Sequence, residues 1–356
     1  MFFFQGALID RHLPGCYKLC GLVVKAGYTE LMNILVTGGA GYIGSVVAER
    51  LLEFGHSAVI YDNLSDGHRD AVPPGASLVI AELDDVQSLT DCIQTHRIEG
   101  VIHMAASALV GESMMNPSKY FRNNVLAGIN LLDTMLASGV NRIVFSSSCA
   151  VYGEPETSPI TEDLPKRPTN PYGETKLAFE NVLHWYEVAH GLRYASLRYF
   201  NAAGATARCG EHHSPETHLI PNVLNCALGL ASHVDVFGDD YATPDGSCIR
   251  DYVHVTDLAD AHILALDALE KGSCVHNLGS GNGYSVLEVL NAARIVTGRP
   301  IGVRVTPRRP GDPAVLIASP ERIQRELGWK PEYTEITSIL ESAWVWHLAH
   351  PHGYKH

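Results

Sequence analysis

A glycine-rich turn between an apolar strand and a helix limits this chain to a small number of folds. The segment VTGGAGYIGS (residues 36–45) carries Gly38, Gly41 and Gly44 in the spacing G-x-x-G-x-x-G. In such a turn one glycine permits the tight bend, one lets a ligand approach the backbone, and one lets helix and strand pack closely. The glycines alone are also compatible with an ordinary strand–helix turn, so the flanking sequence has to decide.

The flanking sequence repeats the alternation of strand and helix up to about residue 200. Short runs rich in Val and Ile, such as NILVT and SAVIYD, alternate with segments of helical character. This rhythm predicts an α/β fold with a Rossmann-type, doubly wound parallel sheet that has helices on both faces. Beyond residue 200 the loops lengthen and become rich in Gly, Pro, His and Asp, which predicts a smaller, interdigitated α/β substrate domain.

Composition argues against partners that carry a negatively charged surface. The formal net charge is −13, which disfavours nucleic acid and membrane surfaces. No apolar run reaches the ~18 residues that a membrane-spanning helix requires. The eight cysteines are scattered, with no C-x-x-C pair, and we therefore expect reduced thiols in a cytoplasmic protein.

The first 31 residues stand apart from this pattern. They have no basic region at the start, and Asp10, Arg11 and His12 interrupt their apolar stretch, so they make a poor secretory signal. Met32 directly precedes the first strong strand. We predict that residues 1–31 are a dispensable N-terminal extension, with a targeting or interaction arm as the alternative.

An acidic residue after the second strand favours a dinucleotide at the glycine turn. Asp62 ends the strand SAVIYD, 24 residues after Gly38. A carboxylate at this distance bonds both ribose hydroxyls of NAD and repels the 2′-phosphate of NADP. The amide groups at the start of the following helix then face the phosphates. We therefore predict NAD as the cofactor and assign residues 32–200 to an NAD-binding domain and 201–350 mainly to the substrate domain, with some segments returning to the first.

The segment NPYGETKLAFE (residues 170–180) predicts an acid–base site. Tyr172 and Lys176 lie four residues apart on a predicted helix and therefore share a face. An ammonium group near a phenol favours the phenolate, and a cationic nicotinamide would add to this effect, so we expect Tyr172 to be a base near neutral pH. Ser148 ends a strand in FSSSCAVYG and is suited to hold a substrate oxygen. A core tyrosine beside a surface lysine is the alternative interpretation.

Ten motifs now fall in an order that resembles one known family. In chain order they are TGGAGYIGS, DNLSDG, VIHMAA, GES, NNV, FSSSCAVYG, NPYGETK, RYFNAAGA, GDDYATPDGSCIRDYVHV and PRRPGDP, and the resemblance covers about residues 33–350. They resemble the UDP-glucose 4-epimerases, which are extended short-chain dehydrogenases/reductases. The resemblance implies bound NAD, a UDP-hexose substrate, a 4-keto sugar intermediate, the interconversion of UDP-glucose and UDP-galactose, and a homodimer.

Position by position, the resemblance also implies which residues form the site. Those at the cofactor are Gly38, Gly41, Tyr42, Ile43, Gly44, Asp62, Asn63, Glu82, Leu83, Ala105, Asn124, Ser148, Tyr172, Lys176 and Tyr199. The catalytic trio is Ser148, Tyr172 and Lys176. Those at the UDP-sugar are Ser148, Tyr172, Asn201, Leu219, Phe237, Arg250, Arg309, Asp312 and Leu316.

The chain departs from the family pattern at two cofactor positions. Ala108 stands where many relatives have a lysine, which puts one cofactor phosphate contact in doubt. Glu82 stands where an aspartate usually meets the adenine, and the longer acid still reaches. The chemistry of the catalytic trio is untouched by both changes.

Rival functions on the same fold differ at identifiable residues. A nucleotide-sugar 4,6-dehydratase needs an Asp-Glu pair just after the serine strand, where this chain has Cys149 and Ala150. A non-catalytic NAD-sensing regulator typically loses the catalytic tyrosine or lysine, and both are present. A 4-epimerase of UDP-N-acetylglucosamine or of UDP-pentoses remains open, and Leu316, of intermediate size, is the expected gate for the 2-N-acetyl group.

Charged residues in the second half suit a diphosphate better than a metal ion. Arg250 and Arg309 offer planar forks to a diphosphate, although pairing with Asp251 and Asp312 alone would also explain them. Three histidines follow at 212, 213 and 218, but no complete ligand set with zinc spacing accompanies them. We therefore expect no metal and interpret this segment as a polar loop on the substrate side.

Overall fold

The computed structural model describes residues 16–19, 22–25, 31–309 and 311–354. Before the main fold, β1 (Cys16–Leu19) and β2 (Leu22–Lys25) form an antiparallel pair. Most of the predicted N-terminal extension lies outside the described residues. None of the described helices has both the length and the apolar character needed to cross a membrane.

A seven-stranded parallel sheet forms the centre of the molecule. Its strands are β3 (Asn33–Thr37), β4 (Ser57–Asp62), β5 (Ser77–Ile80), β6 (Gly100–His103), β7 (Arg142–Ser148), β8 (Arg193–Tyr199) and β12 (Cys274–Leu278). They lie side by side in the order β12-β8-β7-β6-β3-β4-β5, all parallel. The direction of winding reverses between β3 and β6, which is the position where doubly wound sheets bind ligands. The predicted α/β fold is confirmed.

Helices cover both faces of this sheet because its strands are apolar on both sides. The helices of the chain are α1 (Tyr42–Glu53), α2 (Val86–Thr95), α3 (Val110–Met115), α4 (Pro117–Tyr120), α5 (Ala127–Ala137), α6 (Pro171–His190), α7 (Leu219–Ala227), α8 (Val255–Ala268), α9 (Val286–Thr297), α10 (Glu321–Leu327) and α11 (Ile336–Ala349). Ile34 and Val36 of β3 pack in the core that α1 and α8 cover. Leu35, between them, packs in the core beneath α2, α5 and α6. Successive side chains of a strand point to opposite faces, so this one strand serves both cores.

The second half of the chain builds the other side of the site. Its strands outside the main sheet are β9 (Asn201–Ala203), β10 (Val234–Phe237), β11 (Ile249–His254), β13 (Gly283–Ser285), β14 (Val303–Thr306) and β15 (Val315–Leu316). A third apolar core joins α7, α9 and α11. Between these elements α8 returns to pack on α1, and β12 returns to pair with β8. The segments that return to the main sheet are therefore α8 and β12.

One predicted helix is interrupted. The pattern predicts a single helix over 117–138, whereas the chain forms α4, a π-helical segment at Phe121–Leu126, and then α5. A π-turn adds one residue to a helical turn without ending the helix. Short-range periodicity does not distinguish that insertion, because the apolar residues on either side still face the core.

Candidate active site

One cavity collects nearly all the residues that the sequence analysis singled out. It has a volume of about 1460 Å³ and lies at the carboxyl ends of the parallel strands, where the winding reverses. Every predicted cofactor, catalytic and substrate residue lines it except Asn124. Residues separated by more than 270 positions in the chain, such as Gly38 and Asp312, therefore share one cavity.

The glycine turn packs against neighbouring backbone more closely than a side chain would allow. Gly38 has a φ of +70°, and a Cβ atom there would lie 2.6 Å from the Ala105 nitrogen. A Cβ atom at Gly44 would lie 2.2 Å from the Gly38 carbonyl oxygen. Helix α1 begins after Gly41, with no side-chain cap. The amides of its first turn therefore have no partner within the helix and can receive an anion.

The Asp62 carboxylate lies beside this turn, and two backbone amides fix its orientation. It is buried and accepts hydrogen bonds from the Ala40 amide at 2.9 Å and the Leu64 amide at 2.8 Å. Burial raises the pKa of Asp62, and the two amide hydrogen bonds oppose that rise. A carboxylate has about four acceptor positions, so acceptor capacity remains for hydroxyl groups of a ligand.

The residues predicted to surround the adenosine lie next to Asp62. The Asn63 amide donates to both carboxylate oxygens of Glu82, at 3.0 and 2.9 Å. The Tyr61 hydroxyl donates to the Glu82 carbonyl oxygen at 3.0 Å. These bonds hold Glu82 against the end of β4, and Leu83 follows it along the cavity wall.

Asn124 lies behind the cavity wall rather than on it. It is buried, accepts from the Ser107 amide at 2.8 Å, and donates to the Ser107 carbonyl at 3.0 Å and to Thr175 Oγ1 at 3.0 Å. Its side chain thereby ties the loop after β6 to helix α6. That loop carries Ala105 into the cavity, so Asn124 shapes the wall through its neighbours.

Helix α6 places the two predicted acid–base residues. Asn170 caps it by accepting from the Gly173 amide at 2.9 Å, and Pro171 occupies the first turn, where its missing amide proton costs nothing. A Cβ atom at Gly173 would lie 2.5 Å from the Ala150 carbonyl oxygen. Gly173 therefore lets α6 approach the segment after Ser148. The sequence analysis did not assign it a role, although a glycine inside the first turn of a helix was the available signal.

The trio is assembled around the end of β7. Ser148 is the last residue of that strand and Tyr172 lies in the first turn of α6, both lining the cavity. The Lys176 ammonium donates to the Ser146 carbonyl at 2.8 Å, and its Nζ lies 5.8 Å from the centre of the Tyr172 ring. The helical spacing of four residues thus places both side chains on the predicted common face.

The protonation state expected for Tyr172 is not found in the protein alone. Burial raises the pKa of Tyr172 to about 12, with the Ser148 hydroxyl as the opposing influence. Burial also lowers the pKa of Lys176 to about 7, which Glu180 opposes. In the protein alone, burial therefore penalises both charged forms. That Tyr172 is a base near neutral pH stays a prediction, because it includes the positive charge of a bound nicotinamide.

Two arginines lie at the far end of the cavity. Arg250 on β11 is buried, pairs with Asp312 and donates to the Ile249 carbonyl at 2.7 Å. The Arg309 guanidinium stacks on Phe237, 3.9 Å from the ring centre. Within residues 31–309 and 311–354, no carboxylate forms a salt bridge with Arg309. The two arginines therefore differ, since one is already paired and the other is oriented by an aromatic ring with its donors free.

Asp251 was the other acid considered as a partner for these arginines, but its carboxylate accepts hydrogen bonds from backbone amides instead. It accepts from the Ser280, Gly281 and Ala318 amides at 2.8 to 3.1 Å. Its pairing with an arginine, considered from the sequence, is not observed. Among the described residues, Asp312 pairs with Arg250 and forms no ion pair with Arg309.

The remaining predicted substrate residues sit at the starts or edges of short elements. Leu219 begins α7, Asn201 begins β9, and Leu316 of β15 is the strand partner of Arg250. Tyr199 ends β8 between the trio and Asn201, and burial raises its pKa. All four line the cavity, which thus runs without interruption from the glycine turn, past the trio, to the two arginines.

Known proteins share both this sequence and this fold. The model of the NAD dependent epimerase/dehydratase family matches residues 34–279. The UDP-glucose 4-epimerase of Halalkalibacterium halodurans is 54% identical over 328 residues, which cover 91% of this chain and 98% of that protein. Two solved structures are similar. The UDP-glucose 4-epimerase of Bifidobacterium longum in complex with NAD⁺ and UDP has a TM-score of 0.87 at 38% identity, covering 90% of this chain and 100% of that one. The UDP-Glc/GlcNAc 4-epimerase of Campylobacter jejuni has a TM-score of 0.80 at 39% identity, covering 89% and 99%.

Proposed function

This chain belongs to the NAD dependent epimerase/dehydratase family, and we propose that it is a UDP-glucose 4-epimerase that interconverts UDP-glucose and UDP-galactose with tightly bound NAD. The observation that carries this proposal is the single cavity that holds a glycine turn, a Ser–Tyr–Lys trio and two arginines together. A dinucleotide, a reacting sugar and a diphosphate need those three sets of groups in one cavity.

The residues at the glycine turn fit NAD. The uncapped start of α1 offers backbone amides to a pyrophosphate, and the Asp62 carboxylate retains acceptor capacity for ribose hydroxyls. Tyr42, Ile43 and Gly44 would offer the first-turn amides, while Asn63, Glu82 and Leu83 would surround the adenosine. When bound, NAD supplies the hydride acceptor and donor for C4 of the sugar, which passes through a 4-keto form.

The chain's own residues supply proton transfer and anchoring. In our proposal Tyr172 takes the proton from the sugar 4-hydroxyl and returns it, and the Ser148 hydroxyl holds that oxygen. Lys176, whose ammonium is fixed by the Ser146 carbonyl, supplies positive charge beside the phenol. Arg309 and Arg250 hold the diphosphate, so that the sugar turns over while the nucleotide stays in place.

Product analysis tests the proposed reaction directly. Purified protein given UDP-galactose should form UDP-glucose without added NAD, and proton NMR of the sugar products should show no 6-deoxy-4-keto sugar. Assays with UDP-N-acetylglucosamine and UDP-pentoses define the range of sugars that the protein accepts. Turnover of those sugars with none of UDP-glucose would overturn the assignment in favour of a related 4-epimerase, and inertness toward every sugar would favour the NAD-sensing regulator.

Sugar breadth is expected to depend on Leu316. This half-buried side chain lines the cavity next to Arg250, and a similar structure belongs to a UDP-Glc/GlcNAc 4-epimerase. Apolar pockets discriminate against small additions by only ~1–3 kcal/mol, so we expect slower but measurable turnover of UDP-N-acetylglucosamine. Leu316→Tyr should abolish that activity and spare UDP-glucose, while Leu316→Ala should raise it. An unchanged ratio of the two kcat/KM values in both variants would show that Leu316 is not the gate.

Cofactor choice is expected to depend on Asp62. Asp62→Ala removes an acceptor for the ribose hydroxyls and the charge that repels a 2′-phosphate, so NAD should bind ~10–100-fold more weakly and discrimination against NADP should fall. Cofactor content of the purified protein and titration with both dinucleotides measure this. Asp70→Ala, an exposed acid outside the cavity, is the matched control. Full NAD content and unchanged rejection of NADP in Asp62→Ala would disprove the ribose assignment.

Assembly, location and chain organisation also remain proposals. We propose a homodimer, supported by Trp185 and Val188, which are 65% and 62% exposed on α6, and sedimentation equilibrium tests it.

A cytoplasmic location is supported by six free cysteines among the described residues and is tested by cell fractionation. The domains at 32–200 and 201–350 and a dispensable segment 1–31 are supported by the start of β3 at Asn33. A chain that begins at Met32 should keep the same melting temperature.

A further inference from the structure

A cluster of histidines and glutamates lies in the irregular segment between β9 and α7. The four residues, which we call the 211–218 cluster, are Glu211, His213, Glu216 and His218. One side-chain nitrogen or oxygen of each lies within 4.8 Å of those of the others. The histidines are conspicuous in the sequence, but their association with the two glutamates is not, because the loop has to fold back before E-x-H-x-x-E-x-H becomes a cluster.

The distances within the cluster suit a metal ion. His213 Nδ1 lies 3.6 Å from a carboxylate oxygen of Glu211 and 3.6 Å from one of Glu216. His218 Nδ1 lies 2.9 Å from an oxygen of each of the same two acids. Four ligands at the ~2.0–2.1 Å that Zn²⁺ requires are about 3.3 Å apart in a tetrahedron. The observed separations lie on both sides of that value, so small side-chain adjustments complete the geometry.

Among the described residues, one member of the cluster lacks a hydrogen-bond partner and another is paired only within the cluster. His213 Nδ1 is shielded from solvent and makes no hydrogen bond, although it points between the two carboxylates. Glu211 is buried, with 6% of its side chain exposed. In the described part of the chain no Lys or Arg forms an ion pair with Glu211, whose carboxylate lies 3.6 Å from His213 Nδ1 and 2.9 Å from His218 Nδ1. A buried carboxylate requires a cation nearby, and an unpaired buried nitrogen is costly.

Backbone groups already orient one ligand. The Thr217 and His218 amides both donate to Oε1 of Glu216 at 2.8 Å, which turns Oε2 toward His213. Such outer contacts are typical of metal-binding carboxylates and fix their orientation. His218 is the N-cap residue of α7, yet its side chain makes no capping bond and is directed to the cluster instead.

From this geometry we infer that the 211–218 cluster is a binding site for a divalent transition metal ion, with Zn²⁺ as the expected occupant. Two imidazoles and two carboxylates are ligands that Zn²⁺ accepts in four-coordinate sites. The ion would close a loop within the irregular segment 204–218, directly before Leu219 and in the wall of the cavity, which all four cluster residues line. Its role is to hold that wall in place. The inference does not depend on the reaction proposed above.

Metal analysis of the untagged full-length protein tests the inference. Protein expressed with zinc in the medium should retain about one equivalent after dialysis, measured by plasma mass spectrometry. After removal of metal with a chelator, titration with Zn²⁺ against a chromophoric competitor should show one tight site. Glu211→Gln and His213→Gln should each weaken that site by at least about tenfold. His184→Gln, an exposed histidine of α6 outside the cluster, should bind as the wild type does.

A spectroscopic readout keeps the test independent of activity and of folding. Co²⁺ added to the stripped protein should give ligand-field absorption bands of a four-coordinate site, and these should be absent in Glu211→Gln and His213→Gln. Bound NAD and circular dichroism identify variants that fail to fold, for which His218→Gln is the replacement. The inference is overturned if the stripped wild type binds no equivalent of Zn²⁺ at micromolar concentration, or if all cluster variants bind it as the wild type does. Either result would mean that imidazolium–carboxylate pairs alone hold the cluster.

Discussion

Replacing Tyr172 by phenylalanine should lower kcat for UDP-galactose at least ~100-fold, which is the usual contribution of a general base. The substitution removes only the phenolic oxygen, and the ring stays packed because the side chain is 9% exposed. Fold and bound NAD should therefore be retained. A coupled assay that follows UDP-glucose formation measures the loss, and the absorbance of the purified protein reports the cofactor.

Tyr186→Phe is the matched control, since Tyr186 is on the same helix but donates its hydroxyl to Asp133, outside the cavity. This variant should keep wild-type kcat. The pH profile adds a second readout. Because the pKa of Tyr172 is about 12 in the protein alone, kcat should rise with pH until the phenolate forms in the complex, and the midpoint reports the pKa there. Near-normal turnover by Tyr172→Phe would remove this residue from the mechanism.

The fold was predictable because it depends on local patterns. Each strand of the sheet is a short apolar run, and β3 shows why, since Ile34, Leu35 and Val36 are buried on two different faces. The parallel order of the strands then follows from the helical crossovers between them. The π-helical segment at Phe121–Leu126 was missed because one extra residue per turn leaves the apolar pattern almost unchanged.

The sequence predicted which residues line the cavity, but it did not predict how burial changes their pKa values. Spacing placed Tyr172 and Lys176 on one face of a helix, which is a local property. The burial of that face is a tertiary property, and in the protein alone it raises the pKa of Tyr172 to about 12, an effect that helical spacing does not reveal. Asn124 shows the same limit, since the resemblance placed it at the cofactor whereas three hydrogen bonds hold it behind the wall. The glutamates of the 211–218 cluster become neighbours of its histidines only when their loop folds back.

Replacing Lys176 by methionine should abolish most activity and stabilise the protein near neutral pH. Turnover should fall by ~100-fold or more, because the charge beside the phenol is lost. The buried ammonium is also costly, since burial lowers the pKa of Lys176 from 10.5 to about 7. Methionine has a similar volume and no charge to desolvate, so the free energy of unfolding at pH 7 should increase by up to about 4 kcal/mol. Lys271→Met, an exposed control, should change neither quantity.

The pH dependence of the stability difference distinguishes the cost of burying the Lys176 ammonium from a general packing effect. Above about pH 7 the folded protein has released the Lys176 proton, whereas the unfolded chain holds it up to about pH 10.5. Unfolding then takes up a proton, so wild-type stability gains up to ~1.4 kcal/mol per pH unit from this group between those values. The advantage of Lys176→Met should therefore be greatest at or below pH 7 and shrink toward pH 10. Urea unfolding at several pH values, with matched cofactor content, measures it. A difference that stays constant with pH would show that the lysine is charged in the folded protein throughout this range and that packing, not desolvation, sets its cost.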